Sequence, residues 1–128
     1  MATQRDFHNE VSVANSLAVV GNRNASANGS GVDLAGYRTA AVVFSVGAIT
    51  DGTHTPKLQE SDDNSSFSDV AAADQSGTLA ALTASTNQEV SYIGSKRYIR
   101  AVMTVAGATT GGMYAALVLR GNPVTAPA

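Results

Sequence analysis

The strongest strand signal in the chain is the segment Arg38-Thr39-Ala40-Ala41-Val42-Val43-Phe44-Ser45-Val46-Gly47-Ala48-Ile49. Successive side chains of a β-strand point to opposite faces, so Val42, Phe44 and Val46 are predicted to share one face. The other face carries Ala41 and Val43, which are apolar as well. Because both faces are nearly apolar, the sequence predicts a strand in the middle of a sheet.

A second strong strand is predicted at 97–105, where Ile99, Ala101, Met103 and Val105 share one face. The predicted strands are 38–49, 55–62, 66–72, 89–94, 97–105 and 113–120. Turn signals such as Asp51-Gly52 separate them, and no helical segment alternates with them as a βαβ unit requires. We therefore predict an all-β fold, an antiparallel β-sandwich of jelly-roll or Greek-key type with about eight strands.

The predicted core consists of the large apolar side chains on the inward faces of these strands. They are Val42, Phe44, Val46, Leu58, Phe67, Ile99, Val105, Leu117 and Leu119. Two segments lack a strand pattern. The segment 21–31 holds three Gly and three Asn, which predicts an exposed, mobile loop. The segment 71–87 is rich in Ala and is predicted to be a long connection that crosses between the two sheets.

The length of 128 residues fits one domain, so 1–128 is predicted to be a single β-sandwich domain. Its candidate extensions are an N-terminal arm at 1–10 and a C-terminal tail at 122–128. Two prolines in that tail argue against a central position in a sheet. Whether these ends lie over a neighbouring molecule or are simply disordered stays open at this point.

The composition argues against several classes of protein. Charged residues make up 14% of the chain, there is no Cys, and the net charge is -2 with only two Lys. Disulfides and a Cys nucleophile are therefore excluded, and direct binding of nucleic acid is not expected. No apolar run reaches the roughly 18 residues of a membrane-spanning helix, so no membrane partner is expected.

No motif predicts catalysis, a metal site or a cofactor site. His8 and His54 lie far apart in the sequence and are interpreted as exposed or loop residues. The run Asp62-Asp63-Asn64-Ser65-Ser66 resembles part of a calcium loop but lacks the Gly and the closing Glu. We interpret it as a hairpin turn in which Asp and Asn side chains bond their own backbone. The expected protein is not an enzyme and needs no cofactor.

Two further groups of residues are candidate binding motifs. Gly21, Gly29 and Gly31 lack the Lys and the following helix of a phosphate-binding loop. Arg97 and Arg100 flank Tyr98 and could contact a nucleic-acid base. We instead expect both arginines to pair with Asp or Glu on neighbouring strands.

Two blocks of sequence resemble a family of small virion proteins of tailed bacteriophages and prophages, which are encoded beside the major capsid protein. The first block is Leu58-Gln59-Glu60-Ser61-Asp62-Asp63-Asn64-Ser65-Ser66-Phe67-Ser68-Asp69-Val70. The second is Tyr92-Ile93-Gly94-Ser95-Lys96-Arg97-Tyr98-Ile99-Arg100-Ala101-Val102, continued by 107–112 and 119–123. This resemblance covers roughly 38–128. It implies a capsid decoration or cement protein that binds the major capsid protein and stabilises the head.

The same blocks are similar to discoidin-type carbohydrate-binding sandwiches. Those have a Ser-x-Asp-Gly-x-x-aromatic hairpin and a later Arg-Tyr-x-Arg strand. Here Ser61 through Phe67 and Arg97 through Arg100 fit that layout, with Asn64 where Gly is usual. The alternative function is thus a carbohydrate- or host-surface-binding β-sandwich module, and a neck or tail structural protein is a third.

The virion role implies a location on the capsid surface after synthesis in the host cytoplasm. The core is built from small residues, since the chain holds 22 Ala and 14 Val. Such a core buries little apolar area per residue, so association with other copies would add stability. We therefore expect a homo-oligomer, a dimer or a trimer, in addition to the major capsid protein as partner.

Overall fold

Residues 7–124 are the part of the chain that the computed structural model describes. Their strands are β1 (Val11–Leu17), β2 (Ala27–Asn28), β3 (Val32–Asp33), β4 (Tyr37–Ile49), β5 (Thr53–Ser61), β6 (Ser68–Asp69), β7 (Gln75–Ser76), β8 (Asn87–Tyr92), β9 (Tyr98–Ala106) and β10 (Gly112–Pro123). A short helix, α1 (Phe7–Glu10), precedes β1, and one 3-10 turn (Ala72–Asp74) precedes β7. Four of these strands are only two residues long.

The strands form two antiparallel sheets. Sheet A has the order β1-β10-β4-β8-β7, and sheet B has the order β2-β9-β5-β6 with β3 also paired to β9. The predicted antiparallel β-sandwich is confirmed, with about ten strands in place of about eight. The predicted crossing of 71–87 is confirmed as well, because this segment leads from β6 in sheet B to β7 and β8 in sheet A. The predicted strand at 66–72 shrinks to the two residues of β6.

The hydrophobic core lies between the sheets and is centred on β4. Val42, Phe44, Val46, Leu58 and Ile99 are buried there as predicted. Val105 is only partly buried against the core. Long β-branched and aromatic side chains on the inward faces thus exclude water from the space between the two sheets.

The predicted core positions Leu117 and Leu119 are wrong by one residue. Cross-strand partners share a face, and β10 pairs Val118 with Val42 and Ala116 with Phe44. Val118 and Ala116 are therefore the inward residues, together with Tyr114, and Leu117 and Leu119 point away from the core. The run 113–119 is apolar at every position, so its pattern could not show which half faces inward.

Phe67 also differs from the prediction, because it is half-buried and lies outside the core cluster. Its ring lies under the guanidinium of Arg100, 4.1 Å from the ring centre. Arg100 belongs to the outward face of β9, so Phe67 packs on the outside of sheet B. A cation over an aromatic ring is favourable at such a partly exposed site.

The segment 21–31 is largely exposed, as predicted for a loop, but it is also hydrogen-bonded to both sheets. Part of it forms β2 against β9. The Gly29 amide donates to the Ala101 carbonyl at 2.7 Å, and the Ser30 amide donates to the Ser16 carbonyl at 2.6 Å. A Cβ on Gly29 would lie only 2.6 Å from the Ala101 carbonyl oxygen and 2.7 Å from the Ser16 carbonyl oxygen, so glycine is required for this close approach of two backbones.

The two predicted extensions are only partly described. Positions 1–6 of the predicted arm and 125–128 of the predicted tail lie outside the described residues. Phe7–Glu10 form α1. Pro123 ends β10 and pairs with Tyr37 on one side only, so it does not take a central position in the sheet, as expected for the tail. Because β1 pairs with β10 only as far as Gly121, Pro123 lies where one side of the strand is an edge, and proline is tolerated there.

Candidate functional site

His54 is the one predicted exposed histidine that the structure buries. It lies on the inward face of β5 and is 1% exposed, whereas His8 in α1 is exposed as predicted. Pro56 and Leu58 point inward from β5, and every second residue of a strand shares a face, so His54 points inward as well. That signal is present in the sequence, but the predicted strand begins only at Thr55 and leaves His54 in the turn.

Both ring nitrogens of His54 are engaged. Nε2 lies 3.0 Å from the Asp51 carbonyl oxygen, and Nδ1 lies 2.9 Å from the Tyr114 hydroxyl. A carbonyl oxygen can only accept, so Nε2 carries the proton and Nδ1 accepts from Tyr114. Burial raises the pKa of the Tyr114 hydroxyl, which keeps it protonated as a donor. The contact between His54 on β5 and Tyr114 on β10 bridges the two sheets. Because the Nδ1 lone pair accepts from Tyr114 and Nε2 donates to Asp51, neither nitrogen is free to bind a metal ion.

Asp51 holds the neighbouring loop between β9 and β10. Its carboxylate accepts hydrogen bonds from the amides of Gly111 at 2.6 Å, Thr110 at 3.1 Å and Thr109 at 3.1 Å. These backbone N–H groups, Gly111 first, lower the pKa of the Asp51 carboxyl. The predicted turn at Asp51-Gly52 is confirmed, and Gly52 has a φ of 85° that glycine adopts without strain. The Asp51 carboxylate therefore holds the loop 109–111 in place.

The acidic turn Asp62–Ser66 is bonded to itself. Asp63 Oδ1 accepts from the amides of Ser65 and Ser66, both at 2.9 Å, as the hairpin interpretation predicts. The amides of Ser66 and then Ser65 lower the pKa of the Asp63 carboxyl. Asn64 has a φ of 60°, the left-handed conformation that a Gly would adopt at this place. Among residues 7–124, no group of three or more His, Asp and Glu side chains is arranged to hold a metal ion.

Arg97, which directly precedes β9, and Arg100 within β9 have different partners. Arg97 forms a two-pronged ion pair with Asp33 on β3, at 2.9 Å and 2.8 Å, as expected. The Arg97 hydrogen bond lowers the pKa of the Asp33 carboxyl to about 2. The expected carboxylate partner of Arg100 is wrong, because its guanidinium donates to the amide oxygen of Gln59 at 2.9 Å and 2.6 Å. Both arginines therefore hold strands together.

A cleft of about 300 Å³ opens at the end of the sandwich where Arg97 lies. Tyr37, Arg38 and Lys96 are among its lining residues. Lys96 forms a salt bridge with Asp62 at 2.9 Å, and Arg38 donates to the Pro123 carbonyl at 3.2 Å. The cations of the cleft are thus already engaged with partners from the chain itself, which weakens their attraction for an anion.

Arg120 is a structural residue that sequence reasoning missed. Its guanidinium lies 4.9 Å from the ring centre of Tyr37. It donates to the Asp33 carbonyl at 3.1 Å and to the Ser12 hydroxyl at 2.9 Å. The sequence carries one signal of this role. Arg120 directly follows the apolar run 113–119 and lies two residues after Val118, so both side chains point to the inward face of β10.

Three large apolar side chains are exposed at this same end of sheet A. Phe7 is 63% exposed, Ile93 60% and Val124 59%. Phe7 borders a groove with Thr39 and Gly121, and the Val124 amide donates to the Gly36 carbonyl. We call Phe7, Ile93 and Val124 the apolar rim. Large exposed apolar side chains next to arginines and tyrosines are typical of protein contact surfaces.

The outward faces of the two sheets differ in polarity. On sheet B, β5 and β9 present Thr55, Lys57, Gln59, Arg100 and Thr104. On sheet A, β1, β10 and β4 present mainly apolar side chains. They are Val11, Val13, Leu117, Leu119, Ala41 and Val43. We call the second surface the sheet A outer face.

Comparisons with known proteins give no relative. No protein-family model matches the chain, no curated protein matches it, and no solved structure resembles it closely enough to count as a match. Among the described residues, no helix is long and apolar enough to cross a membrane.

Proposed function

We propose that the chain is a non-enzymatic structural protein of a tailed-phage virion, a capsid decoration or cement protein that binds the major capsid protein and stabilises the head. The observation that carries this proposal is the apolar rim. Phe7, Ile93 and Val124 expose large side chains to water at one end of sheet A. Burial of these side chains against a partner would stabilise the complex by the hydrophobic effect.

The polar clusters support a structural role over a catalytic one. A catalytic site needs titratable groups that converge on a substrate with unused hydrogen-bonding capacity. Here His54 is tied to Asp51 and Tyr114, and Asp33 is tied to Arg97. These groups hold strands and turns in place, which suits a protein that must bear load on a particle.

Co-sedimentation with undecorated heads of the phage or prophage that encodes the chain tests this proposal. We expect the wild-type chain to pellet with the heads and Ile93→Asp to bind at least about tenfold more weakly, because a charge would be buried in the contact. The matched control is Thr104→Asp on the polar face of sheet B. Equal binding by the two variants, or no binding by the wild type, would overturn the proposal.

The cleft favours a second candidate, a carbohydrate- or host-surface-binding module. Its volume of about 300 Å³ lies at the lower limit for small-molecule sites, and Tyr37 offers a ring on which a sugar could stack. A glycan array separates the two candidates. Specific binding that is lost in Tyr37→Ala, without co-sedimentation with heads, would support this module over the decoration protein.

A further inference from the structure

The sheet A outer face is arranged in rows that run across the strands. One row consists of Asn15, Leu117, Val43 and Glu89, which are successive partners on β1, β10, β4 and β8. The next row consists of Val13, Leu119, Ala41 and Ser91. Each row is apolar in its middle. Glu89 is the one ionised side chain in these two rows.

Each row is complementary to itself when reversed. Reversing the first row places Leu117 over Val43 and the amide of Asn15 over the carboxylate of Glu89. Reversing the second row places the large Leu119 over the small Ala41. A two-fold axis that runs parallel to the strands, between β10 and β4, performs this reversal and keeps each row opposite its own copy.

We propose that the sheet A outer face is the interface of a homodimer about this two-fold axis. The occupant is a second copy of the chain, because the large side chains of the face lie opposite smaller ones and the Asn15 amide can donate a hydrogen bond to the Glu89 carboxylate of the other copy. Two sheets pack face to face about 10 Å apart with their strands within about 30° of each other. The residues of β10 and β4, which lie next to the axis, therefore make the closest contacts with the second copy. A net charge of -2 per copy opposes such pairing only weakly.

The size of the face suits a small dimer interface. Four strands spaced about 4.8 Å apart, over the six residues of β8 at about 3.4 Å each, give a flat footprint on the order of 400 Å². The accessible area of the face is larger than this flat footprint, because side chains add relief, and it compares with roughly 800 Å² per partner in a standard interface. A two-fold axis parallel to the strands also points Ile93 and Val124 of both copies in one direction, whereas Phe7 borders a groove with Ala41, Ser91 and Leu119 and would be partly covered at the dimer interface. If the proposed virion role holds, one dimer would present two copies of Ile93 and Val124 to the capsid.

A charge swap tests the dimer and its axis together. We expect sedimentation velocity of the purified chain to show a dimer in a dilution series. Asn15→Glu would place a new carboxylate opposite the Glu89 carboxylate of the second copy at two symmetric positions, and we expect it to weaken dimerisation roughly tenfold or more. Adding Glu89→Lys to Asn15→Glu creates two opposite-charge pairs instead, and we expect the double variant to regain the dimer.

Two measurements keep this test decisive. Thr104→Glu on the polar face of sheet B is the matched control and should leave the dimer intact. Circular dichroism and thermal melting of each variant show whether it still folds. A monomeric wild type overturns the dimer, and a double variant that stays as weak as Asn15→Glu overturns this axis. Because no heads are present, failure here leaves the result of the co-sedimentation experiment unaffected.

Discussion

The Tyr114 hydroxyl donates a 2.9 Å hydrogen bond to Nδ1 of His54, and this contact joins the two sheets inside the core. Their rings also meet edge to face, with centres 5.2 Å apart. The second nitrogen of His54 donates to the Asp51 carbonyl at the turn between β4 and β5. His54 thereby links β10, β5 and the turn that holds the loop 109–111.

Tyr114→Phe should destabilise the protein by about 1–3 kcal/mol, because it leaves the buried Nδ1 of His54 without a donor. Urea denaturation measures this free energy of unfolding. The matched control is Tyr98→Phe, which removes a hydroxyl from a half-buried position on the outward face of β9. We expect the control to cost less than about 0.5 kcal/mol. Equal losses in the two variants would contradict the bridging role of Tyr114.

Phe44→Ala should cost about 3–5 kcal/mol, because Phe44 is completely buried and its removal leaves a cavity. Leu119→Ala should cost less than about 1.5 kcal/mol, since Leu119 lies on the sheet A outer face and is only half-buried. The comparison is made by urea denaturation at a concentration where the chain is monomeric. A larger loss for Leu119→Ala than for Phe44→Ala would mean that β10 faces the other way.

Acid should destabilise the fold as the paired aspartates are protonated. Arg97 holds the pKa of Asp33 at about 2, and the Gly111, Thr110 and Thr109 amides lower that of Asp51. In the unfolded chain an aspartate titrates near pH 4, so the unfolded state binds these protons first. Stability should therefore be flat near neutral pH and fall below about pH 4.

The test of this acid effect is the urea midpoint as a function of pH. Asp51→Asn and Asp33→Asn should each lower the midpoint at neutral pH and flatten its decline in acid. Each variant lacks one carboxylate whose native pKa is depressed, so it has less stability to lose on protonation. A decline as steep as that of the wild type in both variants would contradict the assignment.

Calcium should leave the melting temperature unchanged. Asp63 Oδ1 is occupied by the Ser65 and Ser66 amides, and Asp62 is paired with Lys96. The turn also supplies no bidentate closing carboxylate, which a calcium loop needs. Differential scanning calorimetry with millimolar Ca²⁺ and with a chelator measures the effect. A rise of several degrees with Ca²⁺ that the chelator reverses would contradict this interpretation of the turn.

The fold class could be predicted from the sequence because β4 and β9 are long segments rich in β-branched and aromatic residues and bounded by turn signals. In β9 the polar Arg100 and Thr104 also mark the outward face. The phase of β10 could not be predicted, since Leu117 and Val118 are equally apolar. Only pairing with β4 decides which of them faces inward, and that pairing is a long-range contact.

The short strands escape prediction for a similar reason. The segment 21–31 has the composition of a loop, yet Gly29 and Gly31 allow it to lie close to Ala101 and Phe67. A composition rich in Gly and Asn indicates a flexible backbone. Whether such a segment packs against a sheet depends on contacts with residues far away in the sequence. The link between His54 and Tyr114 is also beyond local patterns, because the two residues are 60 positions apart.

The virion role is tested most directly by locating the chain on purified particles by cryo-electron microscopy. The account predicts density for a β-sandwich on the outside of the head, at symmetry-related positions, with the apolar rim of Phe7, Ile93 and Val124 against the major capsid protein. Particles that carry the chain only on the neck or tail, or heads without such density, would contradict it.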